Sequence, residues 1–191
     1  MHASPQVVAL VLAAGSSRRF GSDKRAARLP DGQSLLAATL ALAQRNFPEV
    51  AVVLRSGDEA EALGVPSGVQ VIRCADADLG MGHSLAAGVA ALAEERFRAI
   101  AVMLGDMPWI ADASLRHLAE SADVDRIVFP LHDGQRGHPV LFGRRYWQEM
   151  MTLTGDQGAR RVLEDHEEAW LGLEVNDPGV LRDADTPAAL V

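Results

Sequence analysis

Short apolar runs alternate along the chain with segments whose apolar residues recur at helical spacing. The apolar runs predict strands at 7–12, 50–54, 69–73, 99–104, 126–129 and 170–175. The intervening segments predict helices over 35–45, 56–63, 85–92, 113–121 and 144–151, and a last one from residue 159. Because parallel neighbouring strands need a crossover connection, this alternation predicts a mostly parallel sheet with helices on both faces.

The alternation weakens after residue 130. Asp133-Gly134 and Gly137 are turn signals within 131–142, and they predict a hairpin or an excursion from the main sheet. The length of 191 residues suits one domain with a substantial core. We therefore expect a single α/β domain spanning 1–191.

The charge balance narrows the range of partners. A formal net charge of −8 argues against a general nucleic-acid binder, which presents a basic face to phosphates. The single cysteine, Cys74, excludes an intrachain disulfide and is compatible with a reducing compartment. The first residues lack the pattern of a secretory signal, and no apolar run has membrane-spanning length. We expect a cytoplasmic protein with neither a nucleic-acid nor a membrane partner.

The loop after the first predicted strand concentrates small and cationic residues. Residues 13–17 are small, so the backbone there can approach a ligand closely. Five cations follow, opposed by Asp23: Arg18, Arg19, Lys24, Arg25 and Arg28. Backbone N–H groups and cations beyond a strand end favour bound anions, which predicts a triphosphate site. The alternative is a turn with a solvated basic face. The glycine spacing fits neither a Walker A loop nor a dinucleotide fingerprint.

Asp106 ends the predicted strand 99–104, and Gly80 lies in an earlier loop. In a parallel sheet both would share one rim with the Gly15 loop, where ligands bind. A carboxylate beside phosphates is suited to Mg²⁺. The alternative is that Asp106 caps a turn before Pro108.

Three motifs occur in one order that resembles the molybdenum-cofactor cytidylyltransferase and guanylyltransferase family. They are LAAGSSRRFGSDK at 12–24, GDMP at 105–108 and DADTP at 183–187. The resemblance implies a three-layer α/β/α Rossmann-like (GT-A type) fold. It also implies Mg²⁺-dependent transfer of CMP from CTP to a phosphorylated pterin acceptor, molybdopterin, with release of pyrophosphate and a molybdoenzyme as recipient of the product.

The resemblance implies catalytic roles for Arg19, Lys24 and Asp106. Arg18 also fits the motif's arginine, but Arg19 keeps the spacing before the next glycine. Asp185 is implied as the second metal ligand beside Asp106. The alternative, compatible with the first, is that it caps a helix starting at residue 187.

The resemblance further implies contacts to the two substrates. The nucleotide-binding residues would be Leu12, Ala13, Ala14, Gly15, Ser16, Lys24, Gly80, Gly82 and Ser84. Ala14 and the loop from Gly80 favour CTP over GTP, although His83 departs from the small residue usual in the family. Alternatively, Ser84 simply caps the following helix.

The acceptor-binding residues would be Gly137, His138, Pro139, Gly155, Asp156, Gly158 and Arg160. Gly137 and Gly155 could instead be turn residues, and His138 a structural histidine. Two functional alternatives stay open. One is the same chemistry with GTP or another phosphorylated acceptor, and the other is a non-catalytic chaperone that binds the molybdenum cofactor.

Overall fold

The computed structural model describes residues 6–16 and 20–191. Within these residues the strands are β1 Val7–Leu12, β2 Glu49–Arg55, β3 Gln70–Cys74, β4 Ala99–Leu104, β5 Ile127–His132, β6 Gln135–Arg136, β7 Val140–Gly143 and β8 Trp170–Glu174. The α-helices are α1 Leu35–Asn46, α2 Met81–Leu92, α3 Asp112–Glu120, α4 Trp147–Met150 and α5 Arg160–Asp165. Short 3₁₀ turns connect several of them.

The strands form one mixed sheet in the order β3-β2-β1-β4-β7-β5-β6, and β8 pairs with β5. The pairs β3-β2, β2-β1, β1-β4 and β5-β8 are parallel. β7 runs antiparallel to both β4 and β5, and β6 forms a hairpin with β5. The predicted excursion after residue 130 is therefore confirmed, as an antiparallel insertion beside the parallel strands.

The central strand β1 is buried along its whole length. Val8, Leu10 and Leu12 contribute to the core on one face of the sheet, and Val7, Ala9 and Val11 to the core on the other. Successive side chains of a strand point to opposite faces, so a continuous apolar run is what a strand covered on both sides requires.

Helices cover both faces of the sheet. Residues of α1 and α3 belong to one buried cluster, while residues of α2, α4 and α5 belong to the other. Ser34 caps α1 as predicted, its hydroxyl accepting a hydrogen bond from the amide of Ala37 at 3.2 Å. The predicted three-layer α/β/α architecture is confirmed.

The helix predicted over 56–63 is wrong, because that segment consists of turns. The carboxylate of Asp58 accepts a hydrogen bond from the amide of Arg55 at 2.8 Å. Such local bonds from an aspartate stabilise a turn in competition with a helix.

The alternative that Ser84 caps α2 is wrong. The helix begins at Met81 with Gly80 as its N-cap residue, which places Ser84 in the first turn and buries it at 4 % exposure. Gly80 has a φ of 128°, a conformation that glycine adopts without the steric penalty of a side chain.

Across the described part of the chain, no helix combines the length and the apolar character needed to cross a bilayer.

Candidate active site

The loop after β1 turns from the core to the surface within three residues. Ala13 and Ala14 are buried, whereas Gly15 and Ser16 are exposed. Leu12 is buried as well, at 8 % exposure. The side chains of the first three predicted nucleotide-binding residues therefore belong to the core, and exposed backbone begins at Gly15.

Lys24 and Asp106 meet at the same rim. Lys24 starts a 3₁₀ turn that Asp23 caps, and Asp106 follows the carboxyl end of β4. The ammonium Nζ of Lys24 donates to Oδ2 of Asp106 at 2.7 Å. Their side chains are 25 % and 12 % exposed, respectively. Two residues 82 positions apart thus form a charge pair that a polar ligand can still reach.

Asp106 also belongs to a cluster of three carboxylates. Oxygen atoms of Asp106, Asp183 and Asp185 lie within 4.8 Å of one another. Partial burial and the neighbouring charges of Asp185 and Asp106 raise the pKa of Asp183, while Lys24 opposes that shift. The structure thus brings together the two predicted metal ligands and adds Asp183. The D-x-D spacing of the C-terminal motif was the signal for this third carboxylate.

Arg25, one of the five cations of the basic loop, is buried at 6 % exposure. Its guanidinium donates to both carboxylate oxygens of Asp23 and of Asp58, at distances of 2.5 to 3.0 Å. It also donates to the carbonyl oxygen of Ala13 at 2.8 Å. All five N–H groups of the guanidinium donate to groups within the protein. Arg25 therefore holds the loop after β1 against the turn after β2.

Arg25 also changes the titration of its two partners. Its hydrogen bond lowers the pKa of Asp23 against the opposing effect of partial burial. Burial acts to raise the pKa of Asp58, but hydrogen bonds from Arg25 and the Arg55 amide outweigh burial and lower it.

This arrangement predicts acid sensitivity. An aspartate whose pKa is depressed on folding stabilises the protein above its unfolded pKa of about 3.9, and this stabilisation is lost as the pH falls through the folded pKa. We expect the free energy of unfolding in urea to fall below about pH 4, and Arg25→Met to flatten that dependence. Arg161→Met, which removes a guanidinium 77 % exposed, is the matched control. Equal pH slopes for Arg25→Met and the wild type would contradict the prediction.

The segments predicted for nucleotide and for acceptor are in direct contact. The amide of Gly82 donates to the carbonyl of Gly155 at 2.7 Å. A Cβ at Gly82 would lie 2.6 Å from the carbonyl oxygen of Thr154, and one at Gly80 would collide with Gly155 and lie 2.6 Å from Oδ1 of Asp156. Glycine at both positions therefore lets the start of α2 touch the 154–156 loop, so the two predicted subsites adjoin.

His138 lies within electrostatic reach of Asp106. Gly137 is buried with no room for a side chain, since a Cβ there would lie 2.5 Å from the carbonyl oxygen of Val180. The amide of His138 donates to that carbonyl at 2.9 Å. Burial lowers the pKa of the His138 imidazole, as does Arg136, while the charge of Asp106 opposes them. The charge of Asp106 therefore acts on the His138 ring against the effect of its burial.

The remaining predicted acceptor and phosphate residues are placed as follows. Pro139 is buried before β7, Gly158 contacts the side chain of Met81, and Arg160 begins α5. The guanidinium of Arg160 donates to Glu164 at 2.6 Å and is 68 % exposed. Arg18 and Arg19 lie outside the described residues.

Lys24 and the three carboxylates lie at the carboxyl rim of the parallel strands, which is where α/β proteins bind their ligands. The chain belongs to the family of MobA-like NTP transferase domains, whose pattern it matches over residues 9–169. The family expected from the three sequence motifs is therefore confirmed.

Relatives extend the likeness to nearly the whole chain. Purine catabolism protein PucB from Bacillus subtilis is 30% identical over 194 residues, covering 96% of this chain and 94% of PucB. Rv0371c from Mycobacterium tuberculosis is 28% identical, with 97% and 96% of the two chains covered and a TM-score of 0.83. A second structure of Rv0371c, a complex with manganese, has 28% identity, coverages of 89% and 88% and a TM-score of 0.73.

A more distant structure shares the fold. A nucleotidyl transferase from Methanothermobacter has 23% identity, coverages of 96% and 94% and a TM-score of 0.80.

Proposed function

We propose that the protein transfers CMP from CTP to a phosphorylated pterin acceptor, with a divalent cation held by Asp106, Asp183 and Asp185. The observation that supports this most is the convergence of Lys24 with those three carboxylates at the ends of β1 and β4, where the Gly15 loop leaves the sheet. A compact set of negative charges next to a cation and free backbone suits a bound triphosphate that arrives with its metal.

The donor set fits a hard divalent cation. Three carboxylates within 4.8 Å repel one another, and a divalent cation would relieve that repulsion. Burial, followed by the charges of Asp185 and Asp106, raises the pKa of Asp183. Carboxylate oxygens are the ligands that Mg²⁺ and Mn²⁺ prefer. When bound, such a cation neutralises charge that develops on the phosphates. Mg²⁺ is the proposed physiological ion, and the manganese complex of Rv0371c supports a divalent site in a relative.

The protein's own groups would orient the reactants. Backbone amides of the loop that starts at Gly15 would bind the triphosphate, and Lys24 and Arg19 would offset its charge. An oxygen of the acceptor phosphate attacks the α-phosphorus of CTP in line. The bond from that phosphorus to the bridging oxygen breaks, and pyrophosphate leaves. Because no covalent bond to the protein is needed, positioning and electrostatics supply the catalysis.

The acceptor would lie on the side formed by Gly137–Pro139 and the 155–160 segment. Contact between Gly82 and Gly155 places that segment against the proposed nucleotide loop, which supports adjoining donor and acceptor. The imidazole of His138 can donate a hydrogen bond to an acceptor oxygen. The preference for CTP over GTP is supported by Ala14 and the loop from Gly80.

A ligand screen tests the proposed donor. With Mg²⁺ present, we expect CTP to raise the melting temperature more than GTP, ATP or UTP, by roughly 5 to 10 °C at 100 times its Kd. A Lys24→Met variant should lose most of the CTP shift, whereas Lys24→Arg should keep part of it. A larger shift with GTP would contradict the choice of CTP, and equal shifts for wild type and Lys24→Met would contradict the role of Lys24.

A further inference from the structure

The segment 177–184, which we call the C-terminal connector, leads from β8 to the carboxylates of the DADTP motif. It contains a 3₁₀ turn over Pro178–Leu181. Val180 and Ala184 within it are fully buried. The connector therefore packs as part of the core, although it carries little regular structure.

Asp177, the first residue of the connector, has a buried carboxylate that joins two parts of the chain. The residue is 7 % exposed. Its Oδ2 accepts hydrogen bonds from the amide of Ala111 at 2.9 Å and from the hydroxyl of Ser114 at 2.7 Å, and its Oδ1 accepts one from the amide of Gly179 at 2.9 Å. Three donors thus converge on one carboxylate.

These donors lie where α3 needs an acceptor. The first amides of a helix have no partner within it, and a side-chain oxygen normally satisfies one of them. Ala111, the N-cap residue of α3, has no side-chain oxygen to offer. Asp177 accepts from the Ala111 amide instead, 66 positions along the chain. A carboxylate at a helix N-terminus is also favoured by the helix dipole.

The other contacts of the connector extend this attachment toward the metal-binding carboxylates. A Cβ at Gly179 would collide with the carbonyl oxygen of Trp109. The guanidinium of Arg182 stacks on the ring of Trp109, 3.8 Å from its centroid. The amide of Ala184 donates to the carbonyl of Asp106 at 3.2 Å. The connector therefore follows the 106–111 segment from one end to the other.

We infer that Asp177 is a positioning residue for the metal site, holding the connector on the 106–111 segment so that Asp183 and Asp185 meet Asp106. Asp183 and Asp185 flank Ala184, whose attachment to Asp106 is one hydrogen bond. Asp177 fixes the opposite end of the connector through two hydrogen bonds, from the Ala111 amide and the Ser114 hydroxyl, while the amide of Gly179 holds the carboxylate from within the connector. This inference rests on the proposed function only in taking the three carboxylates as cation ligands.

Manganese binding tests the inference without any turnover. Mn²⁺ would be titrated into wild type and Asp177→Asn, with the free ion followed by electron paramagnetic resonance. The amide group of asparagine opposes one of the converging N–H or O–H donors, so the connector should loosen. We expect the Kd for Mn²⁺ to rise about tenfold, as for other residues that orient metal ligands. The amide of Ala184 should exchange with deuterium faster. Saturating Mn²⁺ should restore most of kcat.

The matched control is Asp112→Asn, which removes the same charge from the first turn of α3. Asp112 is 44 % exposed and contacts Arg45 and Asn46 rather than the connector. Its Kd for Mn²⁺ should stay within about twofold of wild type. Ser114→Ala removes one of the three donors and serves if Asp177→Asn does not fold, with an expected rise of about threefold.

A lower melting temperature with unchanged Mn²⁺ affinity and unchanged exchange at Ala184 would overturn the inference and leave the proposed function standing. Failure of the wild type to bind Mn²⁺ would instead contradict the cation site itself, and with it both proposals.

Discussion

Asp106→Asn should lower the rate of pyrophosphate release by about 10³-fold, because the carboxylate serves two purposes at once. It accepts a hydrogen bond from Lys24 at 2.7 Å, and it faces Asp183 and Asp185 across the cation site. Asparagine keeps the shape but has no charge, so Lys24 loses the charge-assisted hydrogen bond to Asp106 and the site loses a ligand. The measurement is steady-state pyrophosphate release with CTP, Mg²⁺ and acceptor.

The fold should survive this substitution. The backbone carbonyl of Asp106, which accepts from Ala184, is unchanged, and the side chain is at the rim of the sheet. Circular dichroism and melting temperature would verify this, and Asp165→Asn on the exposed surface of α5 is the matched control. A rate for Asp106→Asn within tenfold of the control would remove Asp106 from the reaction.

In the double variant Asp183→Asn/Asp185→Asn, the stability of the metal-free protein should stay equal or increase while its affinity for metal decreases. In the metal-free protein, the three carboxylates repel one another, and burial together with the charges of Asp185 and Asp106 raises the pKa of Asp183. Removing two charges relieves that repulsion, so the metal-free melting temperature should stay equal or rise. The same change removes two proposed ligands. Mn²⁺ affinity should therefore fall by about 10²-fold or more, and activity with it.

Calorimetric titration with Mn²⁺ measures the affinity, and thermal melts with and without the ion measure the stability. Each single variant should give a smaller loss of affinity, and the two losses need not add, since the ligands share one ion. A metal-free melting temperature that falls while Mn²⁺ affinity stays unchanged would show that the two aspartates stabilise the fold and do not bind the cation.

The main architecture could be predicted because its signals are local. β1 and β4 have the bounds expected from their apolar runs, and the order of strands and helices sets the parallel core. The convergence of Lys24 and Asp106 follows from the same reasoning, since the carboxyl ends of parallel strands share one rim. Position in the fold, and not spacing in the sequence, brings these two side chains together.

Other features depend on partners far away in the sequence. From the sequence, Arg25 is one more cation of a phosphate loop. In the structure its side chain is buried and pairs with Asp58, 33 positions later. The same aspartate accepts a hydrogen bond from the Arg55 amide where turns replace the helix expected over 56–63. Asp177 resembles an ordinary turn residue until Ala111 and Ser114 are found beside it. A sequence pattern reports which residue types are present, but not which distant donor a buried carboxylate will meet.

Transfer of label from CTP tests the central claim most directly. With CTP labelled on the α-phosphate, Mg²⁺ and a phosphorylated pterin acceptor, the account predicts that label moves to the acceptor while pyrophosphate appears in equal amount. It also predicts that Asp106→Asn abolishes both. Label released as free CMP, or label kept in CTP at saturating Mg²⁺ and acceptor, would contradict nucleotidyl transfer to that acceptor by this protein.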